Sequence, residues 1–533
     1  MNFFSTRLPY RQTGALSKLV LDYLDRVDQL KDFYAYPPTL QGIEKTIEDR
    51  QKHAVNRKVL VDELKKQYAT VAHSKKVGEN IEALRNEKTF TITTAHQNNL
   101  FTGPLYFTYK IIHAIKLTAE LNDSLPGYRF VPVFYMGTED ADFAELNHFY
   151  LDGEKLEWKT DQAGAVGRMV IDKKLTSLIK SIEGQLGVLP FGPEIIQQLR
   201  KFYKEGNTIQ HATFEFLNYL FGNYGLLVLL PDNPGIKNLA NGIFRDELIN
   251  QSSGKTVNET LRKLESQGYK SQAHPREINL FYLNDGIRER IEKQGVSWKV
   301  LNSKINFSKS ELIKELETHP ERFSPNVILR GIYQEAILPN VVFIGGGGEL
   351  SYWLQYKELF EYFNIPFPVL VLRNSFLVIE KRWQEIIVGL GLDAEDFFLA
   401  ENQLMKKWLM KSHSKNMQLN GGFTDAEQLY QAIKDQVSRV DPSLVKHVEA
   451  LKTNTLYRLQ ELEKKILKAE KRKYADQQRQ IEKIRLNLFP NGQLQERTDN
   501  LLYYYSKWGR DFLDELYKHS LSLEQEFTIL QEK

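Results

Sequence analysis

The sequence predicts an α/β protein: a five-stranded parallel sheet of nucleotide-binding type, interrupted by two insertions and followed by a C-terminal helical arm. Three observations predict it. Short apolar, β-branched runs alternate with helical patterns through the middle of the chain, the texture of βαβ units buried on both faces. The runs are unevenly spaced, about ninety residues between the second and third and about 110 between the third and fourth, so the sheet carries insertions. From about residue 396 proline and glycine become scarce and charges dense.

In chain order, residues 1–85 read as a helical segment packing on the core. Leu16, Val20 and Leu24 are spaced by four with Leu19 and Tyr23 alongside, as one helix face requires, and Pro37-Pro38 punctuates the stretch. Residues 86–150 form the first half of the core. Strand one, Phe90–Ala95, ends in His96-Gln97-Asn98-Asn99; a helix over Leu105–Leu121 follows, with Thr102 as a candidate N-cap and Pro104 suited to the first turn; strand two is Phe130–Met136. A first insertion, 151–215, opens at Leu151-Asp152-Gly153 between strand-like residues and continues as helices. Strand three, Tyr224–Leu230, lies in core residues 216–250. The second insertion, 251–335, contains a hairpin pattern, Ile278–Leu283 and Ile287–Ile291 about Asn284-Asp285-Gly286. Residues 336–395 complete the core with strands four, Asn340–Ile344, and five, Phe367–Leu372.

Residues 396–533 form the arm. Leu459, Leu462, Ile466 and Ala469, then Ile481, Ile484 and Leu488, make a short heptad-like seam. A helix over 443–487 would be about 65 Å long, turning at Pro490-Asn491-Gly492 and returning along 493–530, an antiparallel arm that also dimerises. Its basic stretch, Lys464-Lys465, Lys468 and Lys471-Arg472-Lys473, is interleaved with Glu461, Glu463 and Glu470 and reads as a solvated helix face.

Composition narrows the function. Lys and Arg number 71 against 68 Asp and Glu, a net charge of +3, which argues against a dedicated nucleic-acid binder. No cysteine is present, which excludes disulfides, iron–sulfur clusters, thiolate-bound zinc and a thiol nucleophile. The start shows no secretory pattern and no apolar run approaches the length of a membrane span, so the expectation is a cytoplasmic protein. The eleven histidines include no pair at H-x-x-x-H spacing, and no protein-held metal is expected.

In open α/β sheets, ligands bind beyond the carboxyl ends of the strands, where strand order reverses. Here those ends carry His96, Gln97, Asn98, Thr102 and Gly103 after strand one; Glu139 and Asp140, with Asn147 and His148 close behind, after strand two; Pro231–Gly235 after strand three; Gly345, Gly346, Gly347, Gly348 and Glu349, leading to Tyr352 and Trp353, after strand four; and Arg373, Asn374 and Ser375 after strand five. Each has a plain structural reading as well. The glycine run is a flexible turn or a backbone cradle for phosphate, and it is neither a dinucleotide fingerprint nor a P-loop. Gly254-Lys255-Thr256 is discounted because Ile249 stands where a P-loop needs its first glycine. Glu139 and Asp140 are helix N-caps or hold an ammonium group or a metal-bound phosphate; His96 is a core histidine or a ligand; Arg373 is an ion pair or a phosphate partner. Arg330–Glu335 closes the pocket or starts a helix. Convergence on one edge favours a ligand site.

The segments His96–Tyr106, Pro132–His148, Ser324–Glu335, Gly347–Trp353, Val371–Phe376 and Ala469–Arg497 resemble those of the bacillithiol-pathway cysteine-adding enzymes, the BshC family, and the match spreads over nearly the whole chain. The resemblance implies a class I synthetase-like Rossmann core with two connective insertions and a coiled-coil domain that forms a homodimer. It implies a ligase that joins cysteine to the amine of glucosaminyl-malate, with ATP, magnesium being carried on its phosphates, as carboxyl activator. On that reading Glu139, Asp140 and His96 are catalytic. Gln97, Asn98, Asn147, His148, Glu349, Tyr352 and Trp353 bind substrate. Thr102, Gly103, Gly345–Gly348, Arg373, Asn374 and Ser375 bind nucleotide. His96-Gln97-Asn98-Asn99 lacks the Gly-His half of the class's His-x-Gly-His motif, and Arg373-Asn374-Ser375 lacks its lysines. Those departures keep two alternatives open: a catalytically silent nucleotide-binding coiled-coil scaffold, and nucleotidyl transfer to another small amine.

Overall fold

Thr, Ile and Phe crowd Thr89–Gln97, side chains that suit a pleated, buried surface, and this stretch forms the central strand β1. It leads into helix α1, Leu105–Ser124, and strand β2, Arg129–Gly137. Strand β3 is Leu227–Leu229; helix α2, Val327–Ile337, precedes strand β4, Asn340–Gly345; helix α3, Gly347–Trp353, precedes strand β5, Val369–Leu372. The computed structural model describes residues 2–270, 272–413 and 419–533, with the side chains of 412, 413, 420, 467, 468 and 470–472 left out. Lys468, Lys471 and Arg472 of the basic stretch therefore lie outside the described side chains.

The five strands pair in the order β5-β4-β1-β2-β3, every pairing parallel. Strand order reverses between β1 and β4, so the switch point lies there. β3 is shorter than expected because Gly222–Tyr224 forms a tight turn and Gly225 takes a positive φ of 86°. Ile92, Val342, Ile344, Val369 and Val371 meet Ala114, Leu117 and Leu121 of α1 and Ile43 and Ile47 of the helix Leu40–Gln51 in one buried cluster. Full burial of each large side chain stabilises by about 1.5–3 kcal/mol.

Several local expectations change. Phe3–Pro9 is a strand within the N-terminal stretch read as helical. Thr102 does not cap α1: Pro104 occupies the N-cap position without a side-chain cap, and the Leu105 amide donates to the Asp499 carbonyl instead (2.8 Å). Glu139 and Asp140 cap nothing; Asp142 caps the short helix Phe143–Leu146. Asp152 and Gly153, both at positive φ, turn the hairpin His148–Leu151 to Glu154–Glu157. The second insertion builds an antiparallel sheet around Leu280–Asn284 and Ile287–Gln294, with Phe323–Pro325 on the far side of Leu280–Asn284.

The chain forms two units, Met1–Leu377 with Leu494–Thr528, and Val378–Gln493 with Ile529–Lys533. The second unit contains the arm. Its antiparallel pair is Asn420–Val440 against Val445–Lys473, joined by Lys434 to Glu449 and by Tyr430 to Thr455. The expected single helix breaks at Tyr474 and resumes over Ala475–Leu488. The expected return of 493–530 along the arm does not occur. Residues 494–528 belong to the sheet unit, because their helices Leu501–Trp508 and Arg510–His519 bury Leu501, Leu502, Tyr505, Phe512, Leu513 and Leu516 there.

Arg50 anchors the helix Leu40–Gln51 to the sheet's lower end. Its guanidinium donates to the Glu335 carboxylate (2.9 Å) and carbonyl (2.8 Å), both out of solvent, and to the half-buried Pro366 carbonyl (3.0 Å). Removing one partner strands a buried charge, so Arg50→Ala is expected to cost about 3–5 kcal/mol in urea unfolding, and Arg50→Met with Glu335→Leu to recover most of it. A single variant within about 1 kcal/mol of wild type would refute the role of the pair.

Candidate active site

The carboxyl ends of β1, β2, β4 and β5 surround a cavity of about 370 Å³, within the size range of small-molecule sites. From the strand ends come His96, Gln97, Gly137, Glu139, Asp140 and Arg373; from α1, Tyr106 and Lys110; from α2 and its cap, Asn326, Val327 and Arg330; from α3 and its approach, Gly346, Gly347, Gly348, Glu349 and Tyr352. The second insertion adds Arg288, and Arg497 arrives from beyond the arm.

One wall is acidic. Gln97 donates to the Asp140 carboxylate (2.6 Å), and Arg288 approaches it at 3.8 Å. Glu139 pairs with Lys237, a fully buried lysine that also donates to the Phe323 carbonyl (2.6 Å). Burial pushes the Glu139 carboxyl above its usual range despite that lysine.

A second cluster centres on Lys110. Lys110 pairs with Glu349 and donates to the Ala95 carbonyl (3.0 Å). Burial lowers the ammonium to about 8 even with Glu349 beside it. Burial alone would raise the Glu349 carboxyl, but Lys110, His96 and Arg330 together hold it below the usual value. Arg330 donates to the Tyr352 hydroxyl (2.8 Å). His96 has its Nδ1 at 3.2 Å from the Gln97 carbonyl, which can only accept, so Nδ1 carries the proton and Nε2 keeps a lone pair. Burial, reinforced by Lys110, depresses its pKa to about 3, and the imidazole is neutral.

Arg373 also faces the cavity, but its charge is taken. It donates to both Glu496 oxygens (3.0 and 2.7 Å) and to the Ser375 hydroxyl (2.9 Å), and the pair is buried. Asn374 and Ser375 do not line the cavity: the Asn374 amide nitrogen donates to His113 Nδ1 (3.1 Å), and its side chain to the Leu521 carbonyl (2.9 Å).

Other expected residues also lie elsewhere. Trp353 is a core residue stacked on Phe343 at 4.2 Å between ring centres. Asn147 fastens the first insertion, donating to Glu157 (3.1 Å) and the Trp158 carbonyl (3.3 Å), and His148 begins the hairpin beside it. Gly345 lies under the site, where a Cβ would meet Leu350 and Phe343 at 2.9 Å. Asn98, Thr102 and Gly103 are in the buried loop between β1 and α1 and do not line the cavity. Of the residues expected to hold nucleotide, Gly346–Gly348 and Arg373 reach it. His96 is neutral and Arg373 is already paired, so neither brings a free charge to a phosphate. Among the described residues no group of three His, Asp or Glu side chains is arranged to hold a metal.

Sequence reading missed Lys110, Lys237, Arg288, Arg497 and Glu496. Lys110 and Lys237 sit on helices, Arg288 on an insertion strand, and Glu496 lies 123 positions from Arg373. No local pattern marks them.

Two family models divide the chain between them. Residues 4–374 match "Bacillithiol biosynthesis BshC, N-terminal Rossmann-like domain", and residues 376–532 match "Bacillithiol biosynthesis BshC, C-terminal coiled-coil domain". The chain belongs to the BshC family. Similar BshC proteins include the "Putative cysteine ligase BshC" of Flavobacterium psychrophilum, 38% identical over 527 residues that cover 98% of this chain and 99% of that protein. That of Flavobacterium johnsoniae is 39% identical over 525 residues, with the same coverage. A more distant BshC, from Salinibacter ruber, is 31% identical over 97% of this chain and 96% of its own. The expected Rossmann-like core and coiled-coil region are thus those of the family. The sheet unit nevertheless includes 494–528, which the coiled-coil model covers.

Acid should weaken this BshC fold through its neutral histidines. His113 accepts from the Asn374 amide at Nδ1 and donates from Nε2 to the Ser522 carbonyl (2.6 Å), and burial lowers its pKa to about 4. The unfolded chain binds the proton first, so stability is complete above about pH 6.5 and falls toward pH 4, by up to about 1.4 kcal/mol per pH unit per histidine. His113→Gln, which keeps an acceptor and a donor without titrating, is expected to show a slope shallower by one proton in urea unfolding at stepped pH. An unchanged slope would mean that His113 does not contribute to the acid sensitivity.

Proposed function

We propose that the cavity joins the carboxyl group of cysteine to the amino group of glucosaminyl-malate, the reaction that family membership suggests. The observation that carries the reading is a single small cavity lined by both carboxylates and arginines. Cysteine is a zwitterion, and glucosaminyl-malate bears an amine and two carboxylates. The acidic wall suits the ammonium groups, and Arg288, Arg330 and Arg497 suit the carboxylates.

Amide formation needs a neutral amine as nucleophile and an activated carboxyl as electrophile. Glu139 is the proposed proton acceptor. Its raised pKa makes it a stronger base than an ordinary carboxylate, and Lys237 holds it in place. Asp140, fixed by Gln97, is proposed to hold the cysteine ammonium, and His96 Nε2 to accept a hydrogen bond from the incoming amine. Lys110 has two of its three N–H groups committed and lines the cavity, which leaves a donor for the oxygen that becomes negative in the tetrahedral intermediate. The chain has no thiol of its own, so the substrate sulfur meets aromatic surface, Tyr106 and Tyr135 being at hand.

ATP as carboxyl activator, a cytoplasmic location and a homodimer through the arm belong to this proposal. For the dimer, Leu451 and Leu462, eleven positions apart and therefore on one helix face, stand 44% and 47% exposed along the arm.

The test is to incubate the pure protein with cysteine, glucosaminyl-malate and ATP, omitting each in turn, and to read products by mass spectrometry. Bacillithiol is expected only with both organic substrates, and appearance of AMP or ADP identifies the activation. Glu139→Gln and His96→Ala are each expected to lower turnover by about 10²-fold or more, assayed at a temperature where circular dichroism shows each variant folded. Nucleotide binding without product would favour the silent scaffold, and full activity in both variants would overturn the residue assignment.

A further inference from the structure

The connection from β1 to α1 takes a costly path. Phe101, Thr102 and Gly103 have consecutive positive φ values of 49°, 72° and 58°. Glycine tolerates that region, but a phenylalanine and a β-branched threonine persist there only where the surroundings impose it. Thr102 Oγ1 and both amide atoms of Asn98 are buried with no partner among the described residues, so neither side chain fixes the loop by a hydrogen bond, while the buried Phe101 ring anchors one point of it against Phe149 and Tyr203 (5.2 and 4.8 Å between ring centres).

The backbone of the loop is held from beyond the arm. Asn500 is 1% exposed, and its Nδ2 donates to the carbonyls of Phe101 (3.1 Å) and Gly103 (2.7 Å), on either side of Thr102. Asn500 pairs with Pro104 in an antiparallel bridge, and the neighbouring Asp499 carbonyl accepts the first amide of α1. The same side chain has a second, separable role, since its Oδ1 accepts from the Leu502 amide (2.8 Å) and caps the helix Leu501–Trp508.

The clamped loop holds two groups of the cavity. At one end Gly103 has no Cβ because the Asn99 side chain fills that space, 2.7 Å from where a Cβ would stand, and Asn99 closely follows His96 and Gln97. At the other end α1 carries Lys110, whose ammonium reaches back to the Ala95 carbonyl of β1. We propose that Asn500 is a positioning residue of the active site, acting through loop 98–104 on His96 and Lys110. The inference rests on the ligase reading for its kinetic consequence only; the clamp itself is independent of substrate.

Asn500→Asp separates the two roles. Aspartate caps a helix as well as asparagine, but it places an oxygen where Nδ2 met two carbonyls. The expected result is a fall in kcat of about 10²-fold, the cost of a misplaced constellation, with KM for cysteine close to wild type, measured below the variant's own melting temperature because a buried carboxylate facing two carbonyls lowers it. Hydrogen–deuterium exchange without substrates should rise in residues 98–105 and stay unchanged in 501–508. Asn500→Ser, which caps and can donate one hydrogen bond, should fall between wild type and aspartate, and it carries the test if the aspartate variant does not fold. Wild-type kcat in Asn500→Asp, unchanged exchange in 98–105, or joint loosening of 98–105 and 501–508 in both variants would each overturn the proposal. If the wild-type protein makes no product, the ligase reading fails, and the exchange comparison still decides whether Asn500 holds the loop.

Discussion

The bidentate contact between Arg373 and Glu496 is the constraint on which the sheet edge depends. It fixes the residue that leaves β5 to a segment 123 positions later. The same carboxylate accepts from Ser375 (3.3 Å), and the guanidinium lies 5.3 Å from the Tyr106 ring. A buried ion pair contributes little net stability when set against its desolvation. What it contributes here is placement. Residues 494–500 arrive at the cavity because Glu496 must meet Arg373, and Arg497 and Asn500 are carried with it.

A second consequence is electrostatic. Three ion pairs satisfy four of the cavity's charged groups before any ligand arrives: Arg373 with Glu496, Glu139 with Lys237, and Lys110 with Glu349. Pairing leaves Asp140 at 3.8 Å from Arg288, and Arg330 and Arg497 without an ion pair among the described residues. A site wired this way discriminates by the pattern of charge a ligand presents rather than by its total. A neutral His96 adds an acceptor without adding charge, which keeps the approach of an amine from being opposed.

The sheet was legible in the sequence because each strand is a short β-branched run bounded by turn residues, and the shared polar chemistry of the strand ends marked the correct edge. Orientation was not legible. Trp353 follows Tyr352 by one position, yet the two point to opposite sides of a short helix, one into the core and one into the cavity. Thr102 looked like a cap because threonine before a helix ordinarily is one, but a φ of 72° turns it away. Lys110 reads as an ordinary helix lysine until the fold buries it. Glu496 and Asn500 were read as part of the arm because nothing local to Pro490-Asn491-Gly492 says that the chain leaves the arm at that turn.

The arm interrupts the sheet unit between Leu377 and Leu494 and hands the chain back beside the residues it left. An excursion of that kind is an appendage in genetic terms: its closing ends are fixed by Arg373 and Glu496, while its tip is answerable to neither. Loop-closure entropy grows only slowly with length. A change in the length of the excursion therefore costs the sheet unit little entropy, provided the few residues at its exit keep their register.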